Sequence, residues 1–173
     1  MSELLKSINQ IPNPCFVIDE KLFVKNMLIL KKVEDSPLIQ VPQLPPHIRT
    51  NRYITKSICY HAANMANEIN ARGITTLTNS GYTAFQISAW RPKAHILAFS
   101  SNKRIISQLN LLWGVRAFYY DKFVSTDQTV VDVNKIALEK GYLEDGDMVI
   151  SLAAMPIQEK GMVNTMRVTE VKA

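Results

Sequence analysis

From residue 50 onwards, the apolar positions first follow a helical spacing and then fall into short runs separated by further helical stretches. Residues three and four positions apart share one face of a helix. We therefore predict a helix that follows a capping Thr50 or Asn51 and ends at Gly73. Its predicted inner face consists of Ile54, Ile58, Ala62, Met65 and Ile69.

After this helix, short apolar runs alternate with stretches of helical spacing, an order typical of parallel sheets with crossover helices. The predicted strands are 74–78, 95–99, 115–120, 148–153 and 165–171. The predicted helices between them are 82–90, 102–113 and 127–140, the last one capped by Ser125 or Thr126. The fold class is therefore α/β, a three-layer sandwich with a mostly parallel five-stranded sheet. Because the last strand follows a loop, we expect it to be antiparallel.

The first part of the chain is built differently, because six of the eight prolines lie before residue 47 and all six glycines lie after residue 72. We predict a short extended run at Cys15–Ile18 and a helix over 19–34 with Asp19 as its cap. Four prolines between Pro37 and Pro46 exclude a regular helix and favour an extended connector. The predicted organisation is an N-terminal segment (1–36), a proline-rich linker (37–49) and an α/β domain (50–173).

The composition is that of a globular protein, with 173 residues, 47% hydrophobic and 20% charged. The apolar runs are too short to cross a bilayer, and the first ten residues lack the apolar stretch of a signal peptide. We therefore expect a cytoplasmic location and no membrane partner. The net charge of +5 is uneven, since residues 52–116 hold eight Lys/Arg and one acid, whereas residues 121–147 hold seven acids and three lysines. The acidic second half argues against a nucleic-acid partner.

The turn after the first predicted strand of the α/β domain offers chemistry that suits an anion. In residues Thr78–Thr83 a strand gives way directly to a helix, so free backbone N–H groups meet the positive end of a helix dipole. Thr78, Ser80 and Thr83 add hydroxyls, and Gly81 permits a ligand to approach the backbone closely. Ser and Thr at a helix start are also ordinary caps. The residues alone therefore leave a phosphate site and a plain cap as alternatives.

The sequence contains no recognisable catalytic or metal-binding motif. His47, His61 and His95 lie far apart without an acid or thiol at ligand spacing, which favours structural roles. The glycine-rich phosphate motifs of nucleotide hydrolases and dinucleotide enzymes are missing. Two cysteines do not make a disulfide framework, and Cys59, within an apolar helical stretch, is expected to be buried. We expect no cofactor in this chain.

Several segments between residues 52 and 171 stand in an order that points to one family. They are Ile54–Lys56, His61–Ala63, Thr76–Ala84 (TLTNSGYTA), Ser88–Ala94 (SAWRPKA), His95–Phe99, Trp113–Val115, Ser125–Asp127, Gly146–Ile150 (GDMVI) and Asn164–Val168 (NTMRV). Together they resemble the C-terminal domain of pyruvate kinase. The resemblance implies a regulatory α/β domain that binds a phosphorylated effector and contributes to subunit contacts.

The resemblance also implies which residues hold the effector. Its phosphate would lie in the turn formed by Thr78, Asn79, Ser80, Gly81, Tyr82 and Thr83. A second wall would come from the loop at residues 154–164, in which Lys160 and Gly161 are candidates. Asn79 and Tyr82 stand where fructose-bisphosphate-responsive members can place basic residues, so the identity of the effector stays open.

Expected partners are a phosphorylated small molecule and either further copies of the chain or a pyruvate kinase barrel. Catalysis in that family needs the barrel, to which the magnesium and potassium ions belong, and 173 residues do not accommodate a barrel beside this domain. We therefore expect the chain to be inactive alone. The alternatives are a structural module without a ligand and one part of a split pyruvate kinase that is active only with a separate barrel chain.

A shorter resemblance concerns the N-terminal segment. Residues Ile11–Glu20 (IPNPCFVIDE), followed by Leu22 and Lys25–Asn26, are similar to the opening of carboxynorspermidine decarboxylases. The chain lacks the later segment that carries the cofactor lysine of that family, so no catalytic residue is carried over. This resemblance predicts two unlike pieces joined at the proline-rich stretch.

Overall fold

The computed structural model describes residues 19–34, 52–122, 125–155 and 162–172. Contacts between residues divide the chain into two units, residues 1–41 and 42–173. In the first unit, helix α1 spans Glu20–Glu34. Asp19 caps it as predicted, because its Oδ1 accepts the Leu22 N–H at 3.0 Å. The extended run predicted at Cys15–Ile18, the proline-rich linker and the caps Thr50 and Asn51 lie outside the described residues.

The second unit alternates helices and strands. Its helices are α2 (Tyr53–Glu68), α3 (Tyr82–Ala89), α4 (Lys103–Leu109) and α5 (Thr126–Glu139). Its strands are β1 (Gly73–Leu77), β2 (His95–Ser100), β3 (Val115–Tyr119), β4 (Met148–Ala153) and β5 (Thr165–Glu170). The predicted strands agree with these bounds to within a residue.

The five strands form one sheet in the order β3-β2-β1-β4-β5. β1 pairs in parallel with both β2 and β4, and β2 pairs in parallel with β3. β5 runs antiparallel to β4, as predicted. The chain therefore moves from β1 outwards to β3 and then returns past β1 to β4. Since crossovers are right-handed, this reversal places α5 on the opposite face of the sheet from α3 and α4.

Each face of the sheet has its own hydrophobic core, which confirms the three-layer α/β sandwich. On one face, Ile74, Ile96 and Ile150 pack against residues of α2, α3 and α4, among them Ala63 and Ile87. On the other face, Leu97, Phe99 and Val149 pack against Val133 and Ala137 of α5. Alternate residues along each strand therefore belong to different cores.

The buried face of α2 agrees with the predicted one only in part: Ala62 is buried, and Ile58 and Met65 are half-buried against the core. The buried residues are Thr55, Cys59, Ala62, Ala63 and Ala66, whereas Ile54 and Ile69 are exposed. These buried side chains are small, so the helix approaches the sheet and α3 closely. The predicted end at Gly73 is also wrong, because α2 ends at Glu68, Asn70 takes a positive φ of 52°, and Gly73 opens β1.

Helix α4 is shorter than the predicted 102–113. Asn102 caps it through the Arg104 N–H, and it ends at Leu109, where Asn110 follows. The Asn110 side chain instead accepts the Ala117 N–H at 3.0 Å. This bond covers a donor on β3, which is an edge strand of the sheet.

The position of the α2 core is testable by mutation. Ala63 is buried and does not belong to the predicted face, so Ala63→Leu should destabilise the domain by about 1–3 kcal/mol through overpacking. Ile54→Ala is the control, because Ile54 is 53% exposed and its truncation should change stability by less than about 0.5 kcal/mol. Urea unfolding measures both. A larger loss of stability for Ile54→Ala than for Ala63→Leu would support the predicted face instead.

Candidate functional site

The candidate turn lies at the point where the strand order reverses direction. β1 sits between β2 and β4, and a crevice opens beyond the carboxyl ends of strands at such a point. The Thr78 N–H continues the sheet by donating to Phe99 O at 2.9 Å. The Thr78 hydroxyl then accepts the Gly81 N–H at 2.9 Å, which closes the turn just before α3 begins at Tyr82.

Gly81 allows the turn to pack closely against α4. Its φ of +80° is a left-handed conformation that side chains other than glycine rarely adopt. A Cβ at this position would lie 3.1 Å from Leu109 Cδ2 and 3.2 Å from Ile105 Cγ2. Gly81 therefore faces α4, and a side chain there would push this helix away.

A cleft of about 510 Å³ opens on the other side of the turn. One wall is the turn itself with the first residues of α3, and a second wall is the start of α2. The third wall is formed by residues that follow β4 and precede β5. The lining residues are Arg52, Thr55, Leu77, Thr78, Asn79, Ser80, Tyr82, Thr83, Ala154, Met162 and Val163. The buried Thr55 hydroxyl donates to Val163 O at 3.3 Å and so joins two of these walls.

The electrostatics of the cleft are positive. The N-termini of α2 and α3 both meet there, each with the positive end of a helix dipole. The Arg52 guanidinium lies 4.3 Å from the centre of the Tyr82 ring. Among the described residues, no carboxylate lies within 4 Å of Arg52.

Thr83 contributes an unused polar group to the cleft. The residue is only 6% exposed, and its carbonyl oxygen accepts the Cys59 thiol at 3.9 Å. Its hydroxyl has no hydrogen-bond partner within the described part of the chain. Thr83 lines the cleft and its hydroxyl oxygen is not among the fully buried polar atoms that lack a partner, so this hydroxyl is open to the cleft.

A second, smaller groove of about 350 Å³ lies between α3 and α4. Phe85, Ile105, Leu109 and Leu112 give it an apolar lining. It shares Arg52, Ser80 and Tyr82 with the larger cleft. The Arg52–Tyr82 pair thus lies between the two spaces.

The structure brings most of the predicted turn residues together. Five of them line the cleft, namely Thr78, Asn79, Ser80, Tyr82 and Thr83. Gly81 is absent from that lining, and Lys160 and Gly161 lie outside the described residues. Sequence reasoning missed Arg52 and Thr55. The available signal was an arginine at a helix start, where a cation is unfavourable.

Other titratable groups lie apart from the cleft or are unreactive. Cys59 is fully buried, as predicted, and burial raises the pKa of its thiol to about 12. Burial, with Arg72 and Arg116 as further causes, lowers the pKa of His95, which lies at the opposite, amino end of the sheet. The described residues contain no group of three or more His, Cys, Asp or Glu that is placed to hold a metal ion.

None of the described helices is both long and apolar enough to cross a bilayer.

A family model for the pyruvate kinase alpha/beta domain matches residues 56–169. The chain belongs to the pyruvate kinase alpha/beta domain family. This match confirms the resemblance of the α/β domain to the C-terminal domain of pyruvate kinase. The resemblance of the N-terminal segment to carboxynorspermidine decarboxylases stays a prediction.

Two relatives of this pyruvate kinase domain come from bacteria and carry the name pyruvate kinase. The chain is 33% identical to a pyruvate kinase of Lactococcus lactis subsp. lactis over 149 residues, which is 86% of this chain and 30% of the relative. It is 34% identical to a pyruvate kinase of Lactobacillus delbrueckii subsp. bulgaricus over 114 residues, 66% of this chain and 19% of the relative. The chain thus spans less than a third of the length of these relatives.

A solved structure shares the fold of the domain. The crystal structure of a pyruvate kinase from Cryptosporidium parvum superimposes with a TM-score of 0.64 and 24% identity. The match covers 73% of this chain and 24% of that one. It supports the five-stranded, mostly parallel α/β architecture.

The packing role of Gly81 gives a second prediction. Gly81→Ala should cost roughly 1–2 kcal/mol for the left-handed backbone, and about 1–3 kcal/mol more for the contact with α4. Gly141→Ala is the matched control, because Gly141 has a φ of +74° and a Cβ added there would meet nothing within 4 Å. Urea unfolding compares the two variants. Equal losses would show that Gly81 is needed only for its backbone conformation.

Proposed function

We propose that this pyruvate kinase domain is a regulatory module that binds a phosphorylated small molecule in the cleft beside Thr78–Thr83. The observation that carries the proposal is the meeting of two helix N-termini in one cleft, beside a guanidinium that has no carboxylate within 4 Å among the described residues. Such an arrangement favours anions, and phosphate is among the anions that helix N-termini bind. We also propose that the protein acts in the cytoplasm, the location predicted from the sequence.

Hydrogen-bond donors support a phosphate in particular. The first bond within α3 runs from the Phe85 N–H to Gly81 O, which leaves the N–H groups of Tyr82, Thr83 and Ala84 without partners inside the helix. The exposed Ser80 and the free Thr83 hydroxyl add donors at the same end. A phosphate has three strong acceptor oxygens for such groups.

Ligand titration by thermal shift tests this function. Sugar phosphates and nucleoside monophosphates are the probes, and one that binds should stabilise the fold by about 2.7 kcal/mol at a hundredfold excess over its Kd. Thr83→Val and Ser80→Ala should remove the stabilisation because each deletes a hydroxyl of the cleft. Thr78 is a poorer choice, since its hydroxyl closes the turn.

Ser107→Ala is the matched control, an exposed hydroxyl on α4 that does not line the cleft. Its stabilisation by the same ligands should equal that of the unmodified chain. If none of the phosphorylated compounds stabilises the chain, the binding function is wrong and the plain helix cap is the better account of the turn.

A second role, assembly with another copy of the chain, is favoured by a difference between the two sheet edges. On β3 the Asn110 side chain covers the Ala117 donor. Within the described residues, β5 has β4 on one side and no strand on the other. An open edge strand is a template for pairing with a further strand. A separate pyruvate kinase barrel is the alternative partner, and activity would then belong only to the complex.

A proline on β5 tests the assembly role. The Val171 N–H donates to Asp147 O and therefore points towards the segment that directly precedes β4. N–H groups along an antiparallel strand point alternately towards and away from the partner strand, so the Val168 N–H, three residues earlier, points away from β4. Val168→Pro should therefore abolish pairing at the outer edge while the sheet remains intact. Sedimentation should show a dimer for the unmodified chain and a monomer for the variant. A monomeric unmodified chain would exclude self-assembly.

A further inference from the structure

Arg52 stands at a position that electrostatics alone disfavours. It immediately precedes α2, a helix of 16 residues, so its positive charge faces the positive end of the helix dipole. It makes no side-chain cap hydrogen bond. Among the described residues no carboxylate within 4 Å compensates it. A cation at such a place favours a negative partner that comes from elsewhere.

The Tyr82 ring explains how Arg52 is held there. The guanidinium carbon lies 4.3 Å from the ring centre, well inside the range of a cation–π contact. Tyr82 is the first residue of α3, so this contact links the N-termini of the two helices that enclose the cleft. A cation–π contact uses none of the five guanidinium N–H groups as a conventional hydrogen-bond donor to an oxygen, so Arg52 retains donors for a ligand.

The turn itself contains no cation. Its residues from Thr78 to Thr83 are all uncharged, and Asn79 and Tyr82 are the two long side chains among them. Arg52 is the only charged residue among the described residues that line the cleft. Any charge compensation of an anion by a described side chain of this cleft therefore depends on Arg52.

We propose that Arg52, held in place by Tyr82, is the counter-ion of the ligand, and that the site selects phosphate monoesters in their dianionic form. This rests on the proposed phosphate-binding function. Two helix N-termini supply roughly half a positive charge each, and the guanidinium supplies one more. Together they match a monoester, which carries about −1.5 to −2 charges at pH 7. The free Thr83 hydroxyl, within a residue that is 6% exposed, provides a separate indication of a ligand here.

Methyl phosphate and dimethyl phosphate are the probes, because they differ mainly in charge. Titration followed by amide chemical shifts should show tighter binding of methyl phosphate. Its affinity should rise between pH 5 and pH 7.5 as the second proton, with a pKa of about 6, leaves. Dimethyl phosphate carries a single charge throughout this range, so its weaker affinity should not change with pH.

Substitutions distinguish the contribution of the Arg52 charge from that of its contact with the Tyr82 ring. Arg52→Gln should weaken methyl phosphate binding about tenfold or more, because a charge-assisted hydrogen bond is lost, and should flatten the pH dependence. Tyr82→Leu should weaken binding in the same direction, and Tyr82→Phe less, since it keeps the ring. Arg91→Gln is the matched control, because Arg91 lies over the Trp113 ring at 5.6 Å and lines neither space.

The outcomes distinguish this inference from the function on which it rests. If methyl phosphate binds and Thr83→Val abolishes the binding, but Arg52→Gln leaves affinity and pH dependence unchanged, Arg52 is not the counter-ion and the phosphate site remains. Equal binding of the two probes at all pH values would overturn the selection of dianions. If neither probe nor any larger phosphorylated compound binds the unmodified chain, the proposed function itself is wrong.

Discussion

The parallel pairing of β1 with β2 on one side and β4 on the other is the constraint on which the rest of the domain depends. It forces the chain to leave β1 in one direction and return past it in the other. Right-handed crossovers then place α5 on the opposite face from α3 and α4, and two cores result. The same reversal opens the crevice in which the Thr78–Thr83 turn lies.

The positive potential in the cleft comes from the placement of two helix N-termini there and from the Arg52 side chain. Helices α2 and α3 pack on the same face of the sheet and begin at the same cleft, so their dipoles add there. Arg52 strengthens the field, and the Tyr82 ring offsets part of the cost of holding a cation at a helix start. These charges favour an anion over a cation in the cleft.

The predicted fold was close to the structure because its signals are local. Helical spacing and short apolar runs placed every strand of the α/β domain, and Ser125 caps α5 through the Gln128 N–H as expected. The predicted face of α2 was wrong at its two ends, Ile54 and Ile69, because these are the more hydrophobic residues, whereas the helix packs closely through its alanines. Which stripe is buried depends on the shape of the partner surface.

The sequence by itself determined the order of elements and the turn with its hydroxyls, since both depend on local patterns, and the alternation of strands with helices in that order implied a mostly parallel sheet. Only the tertiary structure decided that Arg52 meets Tyr82, that Gly81 faces α4, and that Thr55 ties α2 to Val163. These contacts join residues that are distant in the chain. Close packing of whole elements creates them, and no periodicity along the sequence encodes them.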